Sequence, residues 1–351
     1  MDTLTHALSG ALLGRATAWR NPRPGSLSVR ARMALGFAAA AFPDCDIVVT
    51  PVSPLAYLYN HRGVTHSLMM LPLWAVLIGF ACAYLIWREP ARWRACAVMA
   101  GIGIGAHIIA DLITPYGTMI FAPLSDVRYA WSTTFIIDLW FSGILLAGLV
   151  ASAVWRRSRA PAVFALSLVV AYVGFQWLQR QRALDFGDAH ARAAGYRQYQ
   201  VDAVPQPPLP FNWNVFVTEP DFQHYSLVSL VRSEPPAPLA PDAGFFTRIG
   251  APYMPLANAV WLTAPRFGSG EDGALAREAW EHPKFAFYRW FSAHPALYRI
   301  DRGASSCVWF EDLRFFTPGR GRMPFRYGMC REGDAWRAYN LRDDGSRAAV
   351  N

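Results

Sequence analysis

Hydrophobic residues dominate the first half of the chain in long runs that charged residues rarely interrupt. A helix needs about 20 apolar residues to cross the hydrocarbon core of a bilayer. Four runs approach or reach that length: Ser67–Trp87, Ala95–Ile113, Phe135–Trp155 and Ala162–Leu178. Two further runs, Leu4–Leu13 and Met33–Phe42, are shorter, and we expect short or tilted helices packed against the others. Residues 1–184 are therefore predicted to form an all-α polytopic membrane domain of about six hydrophobic helices.

The pattern changes after residue 184, where no apolar run is long enough to cross a membrane. Prolines and glycines separate short stretches of alternating polarity, which is typical of strands and turns. The expected strands are Asn214–Thr218, Tyr225–Val231 and Cys307–Phe310. Aromatic residues recur at helical spacing in Gly273–Ala293, so we expect one helix there. Residues 185–351 are predicted to form a C-terminal extramembrane α+β domain, whose role the sequence does not indicate.

Arginines are distributed unevenly among the linkers between these segments. They cluster in residues 15–32, 88–94 and 156–159, which the positive-inside rule assigns to the cytoplasmic side. The alternate linkers, Pro43–His66 and Thr114–Thr134, hold two arginines and should face outward. We therefore expect a multi-pass protein of the bacterial inner (cytoplasmic) membrane with a periplasmic C-terminal domain. This topology explains part of the net charge of +8, and no nucleic-acid partner is expected.

His107 and Asp111 lie four residues apart inside the apolar run Ala95–Ile113. An ionisable side chain within a membrane segment is costly, so such residues commonly mark a functional site. Positions i and i+4 share one face of a helix, and an imidazole and a carboxylate can therefore converge on one divalent metal ion. A buried His–Asp hydrogen bond that packs two helices together would use the same two residues.

Other ligand-type side chains fall on the same, outward membrane face in the topology drawn from the arginines. With the pair above, the set comprises His6, Asp44, Asp46, His61, His66, His107, Asp111 and Asp138. Imidazole and carboxylate together bind Zn²⁺, Mn²⁺ or Fe²⁺, and the absence of cysteine ligands argues against a closed structural zinc site. The size of the set favours two or three ions, Zn²⁺ first among them, held apart by bridging carboxylates such as Asp44 or Asp111.

Six members of this set are the predicted metal ligands: His6, Asp44, His61, His66, His107 and Asp111. Asp46 could instead be a helix cap, and Asp138 could pair with Arg62 or Arg128. An arginine beside a metal site that handles phosphate would bind the non-bridging oxygens, although Arg128 could equally reach lipid headgroups. The predicted catalytic residues are Asp44, His66 and Arg62.

Several short motifs in the first half of the chain resemble those of one family. They are the runs Met1–Gly10, Phe42–Asp46, His61–Ser67, His107–Asp111 and Thr114–Gly117. Over residues 1–180 their combination resembles the YdjM-like (LexA-binding) family, described as inner-membrane-associated, metal-dependent hydrolases. The resemblance implies a metal-dependent hydrolase in a membrane domain, and it leaves the second half of the chain unassigned.

The order His, Pro-Asp, His, His-x-x-x-Asp is also similar, more loosely, to that of zinc-dependent phospholipase C, an all-helical three-zinc phosphodiesterase. That resemblance implies metal ligation by His6, Asp44, His66, His107 and Asp111. Those enzymes are soluble, use a mature N-terminal residue as a ligand, and carry a further His-x-x-x-Glu pair that the membrane part here lacks. A likeness at this level suggests a mechanism and leaves the substrate open.

Together these observations predict an enzyme: a membrane-bound, metal-dependent hydrolase that cleaves a phosphoester with a metal-activated water at the outer membrane–water interface. The expected partners are membrane lipid and a lipid or phosphoester substrate, such as a phospholipid or a polyprenyl phosphate. One alternative is a membrane-anchored regulatory or interaction protein with a structural metal site and an unassigned protein partner. Another is a divalent-metal transporter, because intramembrane His and Asp also mark ion pathways.

Cys307 and Cys330 are the two cysteines of the second half of the chain. A disulfide between them is compatible with an extracytoplasmic compartment. The sequence does not establish whether the two thiols are close enough to be bridged.

The distribution of arginines generates a test of orientation. A reporter that is active only after export should be active when it is fused after Asn351. At fusion points after Arg94 and Arg159, only a reporter that works in the cytoplasm should be active. The physical reason is that basic linkers are retained on the cytoplasmic side. The reverse pattern of activity would put the ligand-type residues on the inner face.

Overall fold

The computed structural model describes residues 1–18, 25–49, 53–240, 242–303, 305–319, 323–333 and 335–350. The chain divides into two compact units, Met1–Val49 with Tyr59–Leu178, and Thr50–Leu58 with Gln179–Asn351. The division falls beside residue 178, inside a long helix, whereas the sequence predicted a boundary after residue 184. Arg20 and Arg23, which contributed to the predicted topology, lie outside the described residues.

Every predicted hydrophobic segment of the first half contains a helix. In chain order the α-helices are α1 (Thr3–Ala16), α2 (Val29–Ala41), α3 (Pro54–Asn60), α4 (Leu71–Phe80), α5 (Trp93–Leu112), α6 (Leu139–Val154) and α7 (Ala160–Ala194). A π-helical stretch, Ala81–Ile86, extends α4. The helical character of the predicted membrane domain is therefore confirmed.

Fewer helices are long and apolar enough to cross a membrane than the six hydrophobic segments lead us to expect. Among the described residues, two helices are long and apolar enough to cross: Pro90–Leu112, which contains α5, and α7. A third crossing results if Leu55–His66 and Leu71–Ile86, which meet at a bend of 75°, count as one span. α6 has only 16 residues, because Asp138 caps its first turn. Six crossings are not confirmed.

The helices α1 and α2 approach until their backbones touch at glycines. A Cβ added to Gly10 would lie 2.0 Å from the carbonyl oxygen of Gly36, and one added to Gly36 would lie 2.2 Å from the carbonyl oxygen of Gly10. Gly14 meets the backbone of Arg32 in the same way. Small residues allow this approach in membrane proteins, where packing drives helix association. The two helices therefore run antiparallel, and the start of α1 lies beside the end of α2.

The second unit contains two five-stranded sheets, which confirms its α+β character. In the first sheet β1 (Gln200–Gln206), β2 (Asn212–Thr218) and β3 (Phe222–Ser229) form an antiparallel meander, and both β4 (Met254–Pro255) and β5 (Leu262–Pro265) pair with β3. The second sheet is antiparallel throughout and contains β6 (Pro295–Asp301), β7 (Ser306–Asp312), β8 (Tyr327–Glu332), β9 (Ala335–Leu341) and β10 (Arg347–Ala349). The three predicted strands overlap β2, β3 and β7.

The helix predicted over Gly273–Ala293 is broken into two. After α8 (Phe245–Gly250) come α9 (Gly270–Glu281), a short 3₁₀ turn at Pro283–Phe285, and α10 (Ala286–Phe291). Pro283 cannot donate a backbone hydrogen bond to a continuing helix, and its ring clashes with the preceding turn. The aromatic residues that suggested a single helix are buried on both pieces, so the periodicity reports a shared core.

Cys307 and Cys330 are directly opposed on the neighbouring strands β7 and β8, and a disulfide joins them. Both are buried in a small cluster with Trp309, Tyr339 and Leu341. The bridge that the sequence left open is therefore present in the structure.

The contact between α1 and α2 can be tested by replacing a glycine within it by alanine and comparing the result with the same substitution elsewhere. Gly10→Ala should lower the free energy of unfolding by about 1–3 kcal/mol, because the added methyl group overlaps the backbone of α2. Gly174→Ala on α7 is the matched control: a Cβ there meets no atom of another described residue within 4 Å, so the helix propensity of alanine should leave stability unchanged or raise it. Thermal unfolding in detergent measures both, and equal shifts would contradict the described packing.

Candidate metal centre

Helix α1 brings His6 into the interior of the first unit. The helix begins after Asp2, whose side chain accepts a hydrogen bond from the backbone N–H of Thr5 and caps the first turn. His6 lies one turn later and is fully buried. Its Nε2 is 3.1 Å from Oδ1 of Asp111 on α5. The cap therefore sets where α1 starts and, with it, the position of the imidazole.

Helix α5 supplies His107 and Asp111, both fully buried one turn apart on the same face. Nδ1 of His107 donates a hydrogen bond of 2.6 Å to the carbonyl oxygen of Ala40 at the end of α2. A carbonyl can only accept, so Nδ1 carries the proton and Nε2 is left with its lone pair. Nε2 points to the centre of the cluster, 3.4 Å from Oδ2 of Asp111. The ring also stacks on that of His6, with centroids 3.6 Å apart.

Asp44 comes from the 3₁₀ turn Phe42–Val49 that follows α2. Its Oδ1 lies 3.6 Å from Nε2 of both His66 and His107. The Thr3 hydroxyl donates a hydrogen bond of 2.6 Å to Oδ2. Burial opposes ionisation of this carboxyl, but the neighbouring imidazoles outweigh it and hold the pKa of Asp44 below its usual range. Asp44 is therefore an anion at the edge of the cluster.

His66 lies in the short turn that precedes α4 and is fully buried. Its Nε2 is 3.2 Å from Oδ2 of Asp111, so it faces the same centre as His107. On the other side of the ring, Nδ1 is 3.0 Å from the hydroxyl of Thr65 and 3.4 Å from Asp46. The groups around Nδ1 therefore orient the ring, as commonly observed around metal-binding histidines.

Four of the predicted ligands form a compact group: one ligand atom from each of His6, Asp44, His107 and Asp111 lies within 4.8 Å of the others. Nε2 of His66 and Nε2 of His107 lie 3.2 and 3.4 Å from Oδ2 of Asp111, yet all three atoms are buried without a hydrogen bond of good geometry among the described residues. Leaving such groups unpaired costs about 1–3 kcal/mol each. A divalent cation would satisfy them, and mixed imidazole and carboxylate donors suit zinc and similar ions. The residues therefore fit a metal site.

Asp46 and His61 lie beside this group rather than in it. Oδ1 of Asp46 is 2.9 Å from Nδ1 of His61, and Oδ2 accepts a hydrogen bond of 3.0 Å from the backbone N–H of Arg62. Asp46 thus organises the turn that carries the His61-to-His66 motif. The predicted role of His61 as a metal ligand stays a prediction.

Arg62 is almost completely buried and pairs with the same oxygen of Asp111 that His6 approaches. Nη2 pairs with Oδ1 of Asp111 at 2.9 Å, and Nη1 donates to the Thr114 hydroxyl at 2.8 Å. The guanidinium also lies over the Tyr116 ring, 4.9 Å from its centroid. The backbone φ of Arg62 is 60°, a left-handed conformation that residues other than glycine rarely adopt. The surrounding contacts must therefore maintain it. In the structure Arg62 orients Asp111; its predicted contact with phosphate stays a prediction.

Asp138 and Arg128 have other contacts. Asp138 caps α6 through the backbone N–H groups of Trp140 and Phe141, and it accepts a hydrogen bond of 2.8 Å from the Tyr172 hydroxyl. Arg128 donates to the carbonyl oxygen of His61. The pairing of Asp138 with an arginine, which the sequence left open, is absent among the described residues.

Sequence reasoning missed three groups at the site. The amino group of Met1 contacts Oδ1 of Asp111, the Thr3 hydroxyl binds Asp44, and the carbonyl of Ala40 binds His107. Thr3 could have been noticed three residues before His6, where it shares that face of α1. The Met1 and Ala40 contacts use backbone groups, which carry no residue-specific signal.

Known proteins match the first half of the chain. The family profile described as YdjM inner membrane protein matches residues 1–183. The uncharacterized protein YfhP of Bacillus subtilis (strain 168) is 30% identical over 177 residues, which make up 50% of this chain and 52% of YfhP. The chain thus aligns with about half the length of this curated relative. No solved structure matches. Because the family profile covers more than half of the chain and includes every residue of the metal cluster, the chain belongs to the YdjM inner membrane protein family.

Proposed function

We propose that this protein is a membrane-bound, metal-dependent hydrolase of phosphoester bonds in lipids, such as phospholipids or polyprenyl phosphates. The observation that carries the proposal is the convergence of imidazole and carboxylate groups, several with buried atoms unpaired among the described residues. A divalent cation satisfies such nitrogen and oxygen donors at once. Membership of an inner membrane protein family supports action at a membrane. In the proposal, the site faces the periplasm, as the arginine distribution predicts.

His6, Asp44, His107 and Asp111 would hold the ion. Zn²⁺ is the first candidate because it binds mixed imidazole and carboxylate ligands, and Mn²⁺ or Fe²⁺ would accept the same donors. When bound, such an ion supplies an activated water and neutralises charge on a phosphoryl oxygen. The predicted number of two or three ions is part of the proposal, to be decided by the metal-to-protein ratio.

Access to the cluster runs past Asp44. Its side chain is 14% exposed, whereas those of His66, His107 and Asp111 are fully buried. A substrate or a water molecule therefore reaches the cluster from the Asp44 side, where this anionic carboxylate can accept a hydrogen bond from the attacking water. His66 lies beside the four-residue group. Its Nε2 serves either as a fifth ligand or as the base that accepts the proton of the attacking water. This partial exposure also favours a reactive site over a closed structural one.

A lipid substrate is favoured by an apolar groove between α6 and α7 with a volume of about 650 Å³. Its lining runs from Leu139 on α6 to Phe164 and Leu168 on α7. Just before α6, the carbonyl oxygen of Ile136 accepts a hydrogen bond from the backbone N–H of Asp2, so the Leu139 end lies near the start of α1. Pockets of this size hold drug-sized ligands, and an apolar lining suits a hydrocarbon chain. The groove could receive the chain of a lipid whose headgroup reaches the cluster.

The central test removes metal ligands one at a time. His107→Ala and Asp111→Asn should each lower the bound metal to a small fraction of the wild-type amount and abolish hydrolysis, because a site with a missing donor holds its ion weakly. Metal is measured by mass spectrometry on protein purified without chelators, and hydrolysis with phospholipids and polyprenyl phosphates in mixed micelles. Loss of a structural hydrogen bond alone would instead lower stability by about 1–3 kcal/mol.

His190→Ala is the control for the ligand variants, since His190 stacks on Trp261 within the second unit. It should change neither metal content nor activity. Wild-type protein without stoichiometric transition metal, or full metal retention by both ligand variants, would contradict the metal site. Stoichiometric metal without hydrolysis of any phosphoester would instead support the regulatory alternative.

Substitution of Arg62 distinguishes two roles: orienting Asp111, which its contacts support, and binding phosphate, which the sequence predicts. If it only orients Asp111, Arg62→Met should weaken metal binding about 10–100-fold, the usual effect of losing a partner of a ligand, and saturating metal should restore kcat and KM. If it also binds phosphate, KM stays high at saturating metal. Arg156→Met, at an exposed arginine beyond α6, is the control for the substitution itself and should change neither quantity. Unchanged metal affinity in Arg62→Met would contradict the orienting role.

A further inference from the structure

Helix α7 leaves the apolar environment at an identifiable point. Its sequence is uncharged from Ala162 to Leu178, and Gln179, Arg180, Gln181 and Arg182 follow. Trp177, directly before this change, is 52% exposed, and exposed tryptophans concentrate at the membrane–water interface. The helix continues without a break to Ala194. Residues 179–182 therefore mark the height of the membrane surface along α7, and later residues lie farther from it.

Contacts between α7 and the first sheet give the height of each end of β3. Arg182 donates a hydrogen bond to the carbonyl oxygen of Leu230, just after β3. Eight residues later on α7, about 12 Å along the axis, His190 stacks on Trp261 beside β5. β5 pairs with the beginning of β3, including His224 opposite Thr263. β3 therefore runs towards the membrane surface and ends there at Leu230.

The segment that follows β3 exposes large apolar side chains at this membrane-proximal end. Val231 is 54% exposed, and Phe245 and Phe246 at the start of α8 are 67% and 60% exposed. Arg232 ties α8 to the end of β3, because Nη1 donates to the carbonyl oxygen of Tyr253 at 2.6 Å and contacts that of Gly250 at 3.4 Å. We call Val231, Phe245 and Phe246 the aromatic tip.

We propose that the aromatic tip inserts into the headgroup region of the bilayer that α7 crosses. The occupant is lipid, because the hydrogen bonds through Arg182 and Arg232 hold the tip at the height where α7 emerges, where lipid is the neighbouring phase. Two adjacent phenyl rings exposed to water are unfavourable, and interfacial segments bury phenylalanine just below the headgroups. Insertion would give the second unit a second membrane anchor besides α7, independent of the metal site.

The test uses the full chain in lipid nanodiscs with p-benzoylphenylalanine, a photo-crosslinking amino acid, replacing Phe246. Irradiation should attach lipid, detected as a mass increase equal to one lipid on the peptide containing residue 246. Leu262 is the matched control, since it is 46% exposed on β5 at the height of His190 and should give at least tenfold less lipid adduct. Replacement of Phe245 provides a second position should the variant at 246 fail to fold.

Lipid adducts at 245 or 246 but not at 262 support the proposal. Equal lipid labelling at 246 and 262 overturns it, as does absence of lipid adducts at both 245 and 246 in folded protein. A crosslinked dimer of the chain in place of lipid adducts also overturns it, because the tip would then be covered by a second copy.

Discussion

The carboxylate of Asp111 is the charge on which the rest of the first unit depends. It is fully buried on an apolar helix, and an uncompensated charge in such a place would be strongly destabilising. Arg62 and His6 approach its Oδ1, and His66 and His107 approach its Oδ2. These partners come from α1, α5 and the turn before α4. Compensating one buried charge therefore requires elements far apart in sequence to assemble, which makes the cluster a constraint on the fold.

Close packing of small residues makes that assembly geometrically possible. The glycine contacts of α1 and α2 place the start of one helix beside the end of the other, where His6 and Asp44 lie. Bulkier residues at those positions would separate the helix axes and the ligands with them. Packing specificity and chemistry are thus linked here, because the contacts that determine helix spacing also determine the distance between ligand atoms.

Much of this arrangement could be predicted from the sequence because its signals were strong. His107 and Asp111 stood out as ionisable residues in an apolar run, and helical geometry placed them on one face. The helix lengths could not be predicted as well, because an apolar run does not reveal that α6 begins only after Asp138 or that Leu55–His66 and Leu71–Ile86 meet at a bend. The helix over Gly273–Ala293 was wrong for a related reason: periodicity reported a shared core while Pro283 interrupted the backbone.

The role of Arg62 illustrates a further limit. The sequence placed it between two candidate ligands, which suggested a side chain facing substrate, whereas its left-handed backbone turns the guanidinium towards Asp111. Local conformation of this kind depends on tertiary contacts such as the hydrogen bond between Arg62 and Asp46, and these were not readable from spacing alone.

The hydrogen bond from His107 to the carbonyl of Ala40 has a consequence for how this family can be studied by mutation. The acceptor is a main-chain atom, so any residue at position 40 supplies it, and comparing related sequences cannot reveal its importance. Ala40 faces Gly10 so closely that a Cβ added to Gly10 would lie only 2.6 Å from the Ala40 methyl group. A larger side chain at position 40 would therefore disturb the helix spacing while the carbonyl acceptor remains. Substituting side chains at position 40 therefore does not test this contact. Only a change to the main chain itself, such as replacing the amide after Ala40 with an ester, weakens the acceptor and shows how far tautomer control of one histidine governs the site.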